Sequence, residues 1–128
     1  VIPNLLQKAM KNEPLTIYGD GQQTLSFCYV NDLINGIIKL LLSKEHFPIN
    51  IGNPDEMTIT ELAEAVKKMT NSSSELIYLK GKVAGDDPMQ RKPDITRARE
   101  ILNWSPLVSL EKGLIKTIPY FQEKMNLL

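Results

Sequence analysis

Cysteine and histidine are almost missing from this sequence. Cys28 has no second cysteine to pair with, so no internal disulfide is available. His46 is likewise alone, in the loop-like Ser43-Lys44-Glu45-His46-Phe47. Zinc ligand spacings and histidine-centred nucleophilic sites therefore find no support, and no metal site is expected. Arginine is confined to Arg91, Arg97 and Arg99, which leaves few groups for bidentate anion binding. No apolar run reaches membrane-spanning length and no signal-peptide pattern is present. Neither G-x-G-x-x-G nor a P-loop occurs. Neither sign of charge prevails: 15 Lys and Arg oppose 15 Asp and Glu. That balance gives no electrostatic case for nucleic acid or an acidic membrane.

What remains is a globular composition, 42% hydrophobic and 23% charged over 128 residues, suited to one small core. The stretch Thr16-Ile17-Tyr18-Gly19-Asp20-Gly21-Gln22-Gln23-Thr24-Leu25-Ser26-Phe27-Cys28-Tyr29 stands out. β-Branched and aromatic residues flank a Gly-Asp-Gly reversal, which predicts a strand, a tight turn and a second strand. The pattern fits an ordinary hairpin, and it also leaves backbone amides and a polar run where a ligand can approach. Cys28, inside the second apolar run, is expected in the core.

Ahead of this stretch, residues 2–11 carry a helical stripe of Ile2, Leu5, Leu6, Ala9 and Met10, with Pro3 in the first turn and Pro14 beyond the end. After it, Asn31 or Asp32 is placed to cap a helix running to about Ser43. Its broad apolar face (Leu33, Ile34, Ile37, Ile38, Leu41, Leu42) predicts a buried central helix, and Gly36 within it predicts a close packing partner. Residues 48–52 read as a short strand before the Gly52-Asn53-Pro54-Asp55 turn. Thr58 and Glu61 form a capping box for a third helix. Residues 75–79 read as an edge or parallel strand and residues 80–92 as irregular. Asp94 and Ser109 are positioned to cap two last helices, the second interrupted by Pro119.

Two Tyr-x-x-x-Lys spacings, Tyr78/Lys82 and Tyr120/Lys124, have no nucleotide pocket beside them and are assigned to structure. Asp86, Asp87 and Asp94 lie close together, but Pro88 and Pro93 break any calcium-loop spacing, so turn and capping roles are expected. Arg91, a guanidinium in a segment bracketed by prolines, suits a phosphate or diphosphate; a surface salt bridge with Asp87 or Asp94 is the alternative.

Taken together, Val1-Ile2-Pro3-Asn4, Glu13-Pro14-Leu15-Thr16-Ile17-Tyr18-Gly19-Asp20-Gly21 and Phe27-Cys28-Tyr29-Val30-Asn31-Asp32-Leu33 resemble the carboxy-terminal part of extended short-chain dehydrogenase/reductases that act on nucleotide sugars. Asn50-Ile51-Gly52-Asn53-Pro54 and the block Asp86-Asp87-Pro88-Met89-Gln90-Arg91-Lys92-Pro93-Asp94-Ile95 are most similar to the UDP-glucuronate decarboxylases (UDP-xylose synthases). The resemblance implies an α/β fold: residues 1–128 as the nucleotide-sugar substrate-binding portion, with helices and short strands, of a Rossmann-type parent. The NAD-binding domain and the catalytic residues are then expected upstream, none of them in this chain, so the chain alone is expected to be inactive. It further implies a carboxy-lyase reaction: oxidation at sugar C4 by NAD, loss of CO₂ from the keto intermediate, and return of the hydride. The related dTDP-glucose 4,6-dehydratases and nucleotide-sugar 4-epimerases share much of the pattern, and a non-catalytic nucleotide-sugar-binding module is the alternative outside enzymes. By motif position Val1, Ile2, Pro14, Leu15, Thr16, Ile17 and Tyr18 line a uridine pocket and Arg91 meets the diphosphate or ribose. Leu25 stands where the family usually has an arginine. A UDP-sugar ligand, a homodimeric cytoplasmic parent and no nucleic-acid or membrane contact complete what the resemblance implies.

Overall fold

The computed structural model describes residues 1–80 and 90–126; Lys82, Asp86, Asp87, Pro88 and Met89, named above, lie outside them. The described elements run α1 (Ile2–Met10), β1 (Leu15–Tyr18), β2 (Thr24–Ser26), α2 (Val30–Leu42), β3 (Glu56–Thr58), α3 (Ile59–Met69), β4 (Leu76–Leu79), α4 (Thr96–Leu102) and α5 (Leu110–Lys124).

The expected hairpin does not form. β1 pairs in parallel with β4, Leu15 opposite Leu76 and Tyr18 opposite Leu79. β2 pairs antiparallel with β3, Thr24 opposite Thr58 and Ser26 opposite Glu56. Gly19 and Gly21 do adopt positive φ, +77° and +73°. Instead of folding the strands onto each other, the turn carries the chain from one two-stranded sheet to the next. Gly21 O accepts from Thr60 N and Oγ1, both at 3.3 Å, which fixes the turn on α3. The three-residue β3 escapes prediction because its residues sit between a turn cluster and a strong helix cap. That cap is present as expected: Thr58 Oγ1 accepts from Glu61 N at 3.1 Å, and the Glu61 carboxylate accepts from Thr58 N at 2.7 Å.

The main core joins α1, β1, α3 and α5 through Leu5, Leu6, Ala9, Leu15, Ile17, Leu62, Ala63, Val66, Leu114 and Phe121. A smaller cluster of Ile95, Ala98, Leu102 and Trp104 gathers Cys28, Leu40, Ile49 and Ile51 at its margin. Helices α1, α3, α4 and α5 are each followed by an asparagine at positive φ, Asn12, Asn71, Asn103 and Asn126. Asn12 Oδ1 also accepts from Ser73 N at 2.9 Å and Ser72 Oγ at 3.2 Å, tying the ends of α1 and α3 together. Ser109 caps α5 as expected, accepting from Lys112 N.

α2 departs from expectation twice. It starts after Tyr29 without a side-chain cap. Asp32 is instead buried, and its Oδ2 accepts from Leu107 N at 3.0 Å and Val108 N at 2.8 Å, while its carbonyl accepts from Trp104 Nε1 at 3.0 Å. Nor is the helix central: Asp32 and Gly36 are its buried residues, Ile34, Ile37 and Ile38 are exposed, and Leu41 and Leu42 are each 79% exposed. Gly36 has its close partner, since a Cβ there would sit 2.6 Å from Ile51 Cγ2 and 3.1 Å from Trp104 Cε2. Residues 48–52, expected as a strand, pair with no described strand. The apolar face of α2 thus lacks a cover among the described residues.

Asp32 closes residues 107 and 108, in the loop after α4, against α2. Asp32→Ala leaves two backbone amides without their acceptor and is expected to cost about 3 kcal/mol of folding stability. Asp32→Asn, which keeps an acceptor, is expected to cost less. Chemical denaturation of the two variants checks both values, and equal losses contradict the assignment.

Candidate nucleotide-binding site

β1 presents two different faces. Leu15 and Ile17 are fully buried, so their side chains belong to the core. Leu15 N donates to Glu75 O at 2.8 Å and Gly19 N to Leu79 O at 3.0 Å, which turns the peptide groups of alternate residues toward β4. The amides and carbonyls of Thr16 and Tyr18 consequently point to the other edge, where no described strand pairs. Tyr18 is 59% exposed at the end of this edge. Thr16 Oγ1 accepts from Lys8 Nζ at 2.9 Å, which brings a cation from α1 to the strand. Lys8, the one lysine of α1, carries no sequence signal that sets it apart from the chain's other lysines.

Pro14 directly precedes this strand, whereas Val1 and Ile2 lie at the start of α1. Val1 and Pro14 are exposed. Ile2 lines a cavity of about 310 Å³ between α1, the β2–α2 junction and α5, together with Phe27, Tyr29, Leu110 and Leu114. Cys28 also lines it and is half-buried rather than fully in the core. Burial, and then the Asp32 carboxylate, push its thiol pKa up, which favours the neutral thiol.

Arg91 lies in a segment laid along β2. Gln90 forms a parallel bridge with Thr24, and Ser26 Oγ donates to Arg91 O at 3.3 Å. Glu56, on β3, stands at the centre of this attachment. Its carboxylate accepts from Thr24 Oγ1 at 2.9 Å and Gln90 Nε2 at 3.0 Å, and pairs with Lys92 Nζ at 3.7 Å. Those hydrogen bonds, Gln90 first, hold the Glu56 carboxyl below its ordinary value of 4.5. Alternation along the strand sets Thr24 and Ser26 on the Glu56 face and Leu25 on the face of its partner Met57. Farther along, Asp94 Oδ1 accepts from Thr96 N at 2.9 Å and Thr96 Oγ1 at 2.6 Å. It therefore serves the start of α4 as expected, one residue earlier than the helix cap position.

The Gly19-Asp20-Gly21 turn does not form a dinucleotide cradle. It is followed by Gln22-Gln23-Thr24 instead of a third glycine, and it opens into β2 instead of a helix N-terminus. NAD therefore does not fit this turn. His46 is exposed, as expected, and the described residues contain no group of three or more His, Cys, Asp and Glu able to hold a metal ion. No described helix is long and apolar enough to cross a membrane.

Residues 1–52 match the NAD dependent epimerase/dehydratase family. Over 98% of its length the chain is 44% identical to UDP-glucuronic acid decarboxylase 1 of Xenopus tropicalis and 44% identical to UDP-glucuronic acid decarboxylase 3 of Arabidopsis thaliana. It spans 30% and 36% of those two proteins, about a third of their length. In structure it is similar to the UDP-glucose 4-epimerase of Thermotoga maritima solved with UDP-glucose, with a TM-score of 0.89 and 27% identity over 98% of this chain and 40% of that one. The UDP-glucuronic acid 4-epimerase of Bacillus cereus, solved with UDP-glucuronic acid and NAD, gives 0.83 and 32% over 94% of this chain and 38% of that one. The α/β fold class expected from the sequence is the one these proteins share.

The Glu56 attachment carries a pH signature. Because its carboxyl is held below 4.5 in the folded chain, its stabilising contribution is complete above that value and is lost as pH falls through the lower folded-state value. The melting-temperature difference between the unmodified chain and Glu56→Gln is expected to stay level between about pH 7 and 5 and to shrink in more acidic buffer. A difference that grows on acidification contradicts the assignment.

Proposed function

We propose that this chain, a relative of the UDP-glucuronic acid decarboxylases, is the nucleotide-sugar-binding portion of an NAD-dependent enzyme that decarboxylates UDP-glucuronate to UDP-xylose. The observation that carries the proposal is the attachment of the Arg91 segment to β2, the strand that follows directly from β1 through the Gly19–Gly21 turn. An open strand edge and a guanidinium are complementary to the two ends of a nucleoside diphosphate. Backbone groups of Thr16 and Tyr18 meet the polar edge of the base, and the ring of Tyr18 gives it apolar contact. Pro14, Leu15 and Ile17 set the strand, and Arg91 neutralises the diphosphate.

The parts that perform the chemistry belong, in this proposal, to a Rossmann domain upstream, where NAD is held. Two features support such a division. The glycine turn of this chain is unsuited to NAD, and α2 offers an apolar face, with Ile49 and Ile51 packed against the smaller core nearby. This chain then binds and orients the nucleotide and supplies no group that moves a proton or a hydride. The two structural neighbours were themselves solved with UDP-sugars, so a 4-epimerase is the second reading, favoured by the structural likeness as the decarboxylase is by sequence identity.

UDP titration by calorimetry, with the whole polypeptide that carries this segment, tests the site. Removal of a charged hydrogen bond at the diphosphate costs roughly 1.5–3 kcal/mol, so Arg91→Ala is expected to weaken UDP binding about tenfold to a hundredfold. Arg97→Ala, on α4 and outside the segment attached to β2, is expected to leave it unchanged. Equal effects of the two contradict the site. Leu25→Arg restores a cation on β2 and is expected to tighten UDP binding; no gain indicates that Leu25 faces away from the diphosphate.

A further inference from the structure

We propose that Glu56 is the positioning residue for Arg91: by holding Gln90 and Lys92, the residues on either side, its carboxylate turns the guanidinium to the opposite face of the strand, toward Leu25. The proposal rests on the reading of Arg91 as a diphosphate contact. Its basis is the alternation of an extended chain. Gln90 Nε2 and Lys92 Nζ both reach Glu56, at 3.0 and 3.7 Å, so these two side chains share one face of segment 90–92. Arg91 lies between them and takes the other face. Two further attachments hold the segment in the same register: the bridge of Gln90 to Thr24 and the bond from Ser26 Oγ to Arg91 O.

The groups around Glu56 suit this task. Thr24 Oγ1, from β2, donates to its Oε1 at 2.9 Å, while Gln90 and Lys92 meet Oε2. One oxygen thus belongs to the sheet and the other to the arginine segment. The Glu56 side chain is only 18% exposed, whereas Lys92 is 53% exposed, so the carboxylate is the firm member and the lysine the loose one. Gln90 is the decisive partner: a neutral donor binds the carboxylate at any salt concentration, while the lysine pair is screened. Alternation also sets Arg91 on the same face as Leu25.

Five proteins test it: the unmodified polypeptide, Glu56→Ala, Glu56→Gln, Arg91→Ala and the variant with both alanine substitutions, each titrated with UDP. Glu56→Ala is expected to weaken UDP binding about fivefold to tenfold, and Glu56→Gln, which keeps an acceptor for Thr24 and Gln90, less. In the Arg91→Ala background, Glu56→Ala is expected to add nothing, because its effect passes through the guanidinium. The same factor in both backgrounds overturns the proposal, since a general loosening of the fold acts regardless of Arg91. If Arg91→Ala leaves UDP affinity untouched, or UDP does not bind, the diphosphate reading fails. Glu56 is then judged without ligand, by the ¹⁵N heteronuclear NOE at residues 90–92. A drop confined to that segment in Glu56→Ala supports the anchoring role; unchanged values overturn it.

Discussion

Gly21 sets the constraint on which the rest depends. It is buried at positive φ, and a Cβ there would collide with Thr60 Oγ1 and press on Ile17 Cγ2 and the Tyr78 ring. Its carbonyl holds both the amide and the hydroxyl of Thr60. No side chain fits where the chain leaves β1 and enters β2, so the reversal is welded to the first turn of α3. From there each strand takes a separate partner: β4 completes the sheet on the main core, and β3 completes the sheet that receives the arginine segment. A hairpin at this point would have consumed the strand edges that these partners use.

Separation of the two sheets is also what makes a ligand site physically sensible. β1 is stiffened by two fully buried side chains and pairing along one edge, while its other edge carries backbone groups with no described strand against them. β2 by itself is only three residues long, too short for stable independent pairing. It gains a partner on β3 and a bridge to Gln90, and Glu56 joins all three through one carboxylate. Polar bonds, rather than apolar burial, therefore hold the arginine segment. Buried Asp32 works in the same way near the start of α2, where it ties residues 107 and 108 to the helix.

Much of this was legible in the sequence, and the residues show why. Helices α1, α3 and α5 announce themselves by apolar stripes, the last two also by Thr58 and Ser109 at their starts, because caps and period are local properties. Gly36 correctly signalled a tight contact. Partnership between strands is not local. The Gly-Asp-Gly turn looks the same whether the strands pair with each other or with β4 and β3. Asp32 resembled an N-cap because the same residue type serves a loop 75 positions away equally well. The apolar face of α2 read as buried because its composition is that of a buried helix, whereas Leu41 and Leu42 meet no cover among the described residues. Of the proposed site, Arg91 and the first strand stood out by their setting, whereas the contacts of Glu56, Gln90 and Lys8 exist only once the chain has brought distant segments together.

The central claim is that the open edge of β1 and the arginine segment on β2 bind one nucleoside diphosphate together. Amide chemical-shift mapping of the ¹⁵N-labelled polypeptide during titration with UDP tests it most directly. The account predicts shifts at residues 16–18 and 90–92 that follow a single binding curve. Shifts confined to the cavity between Ile2, Phe27 and Leu114, with both of those segments silent, would contradict it.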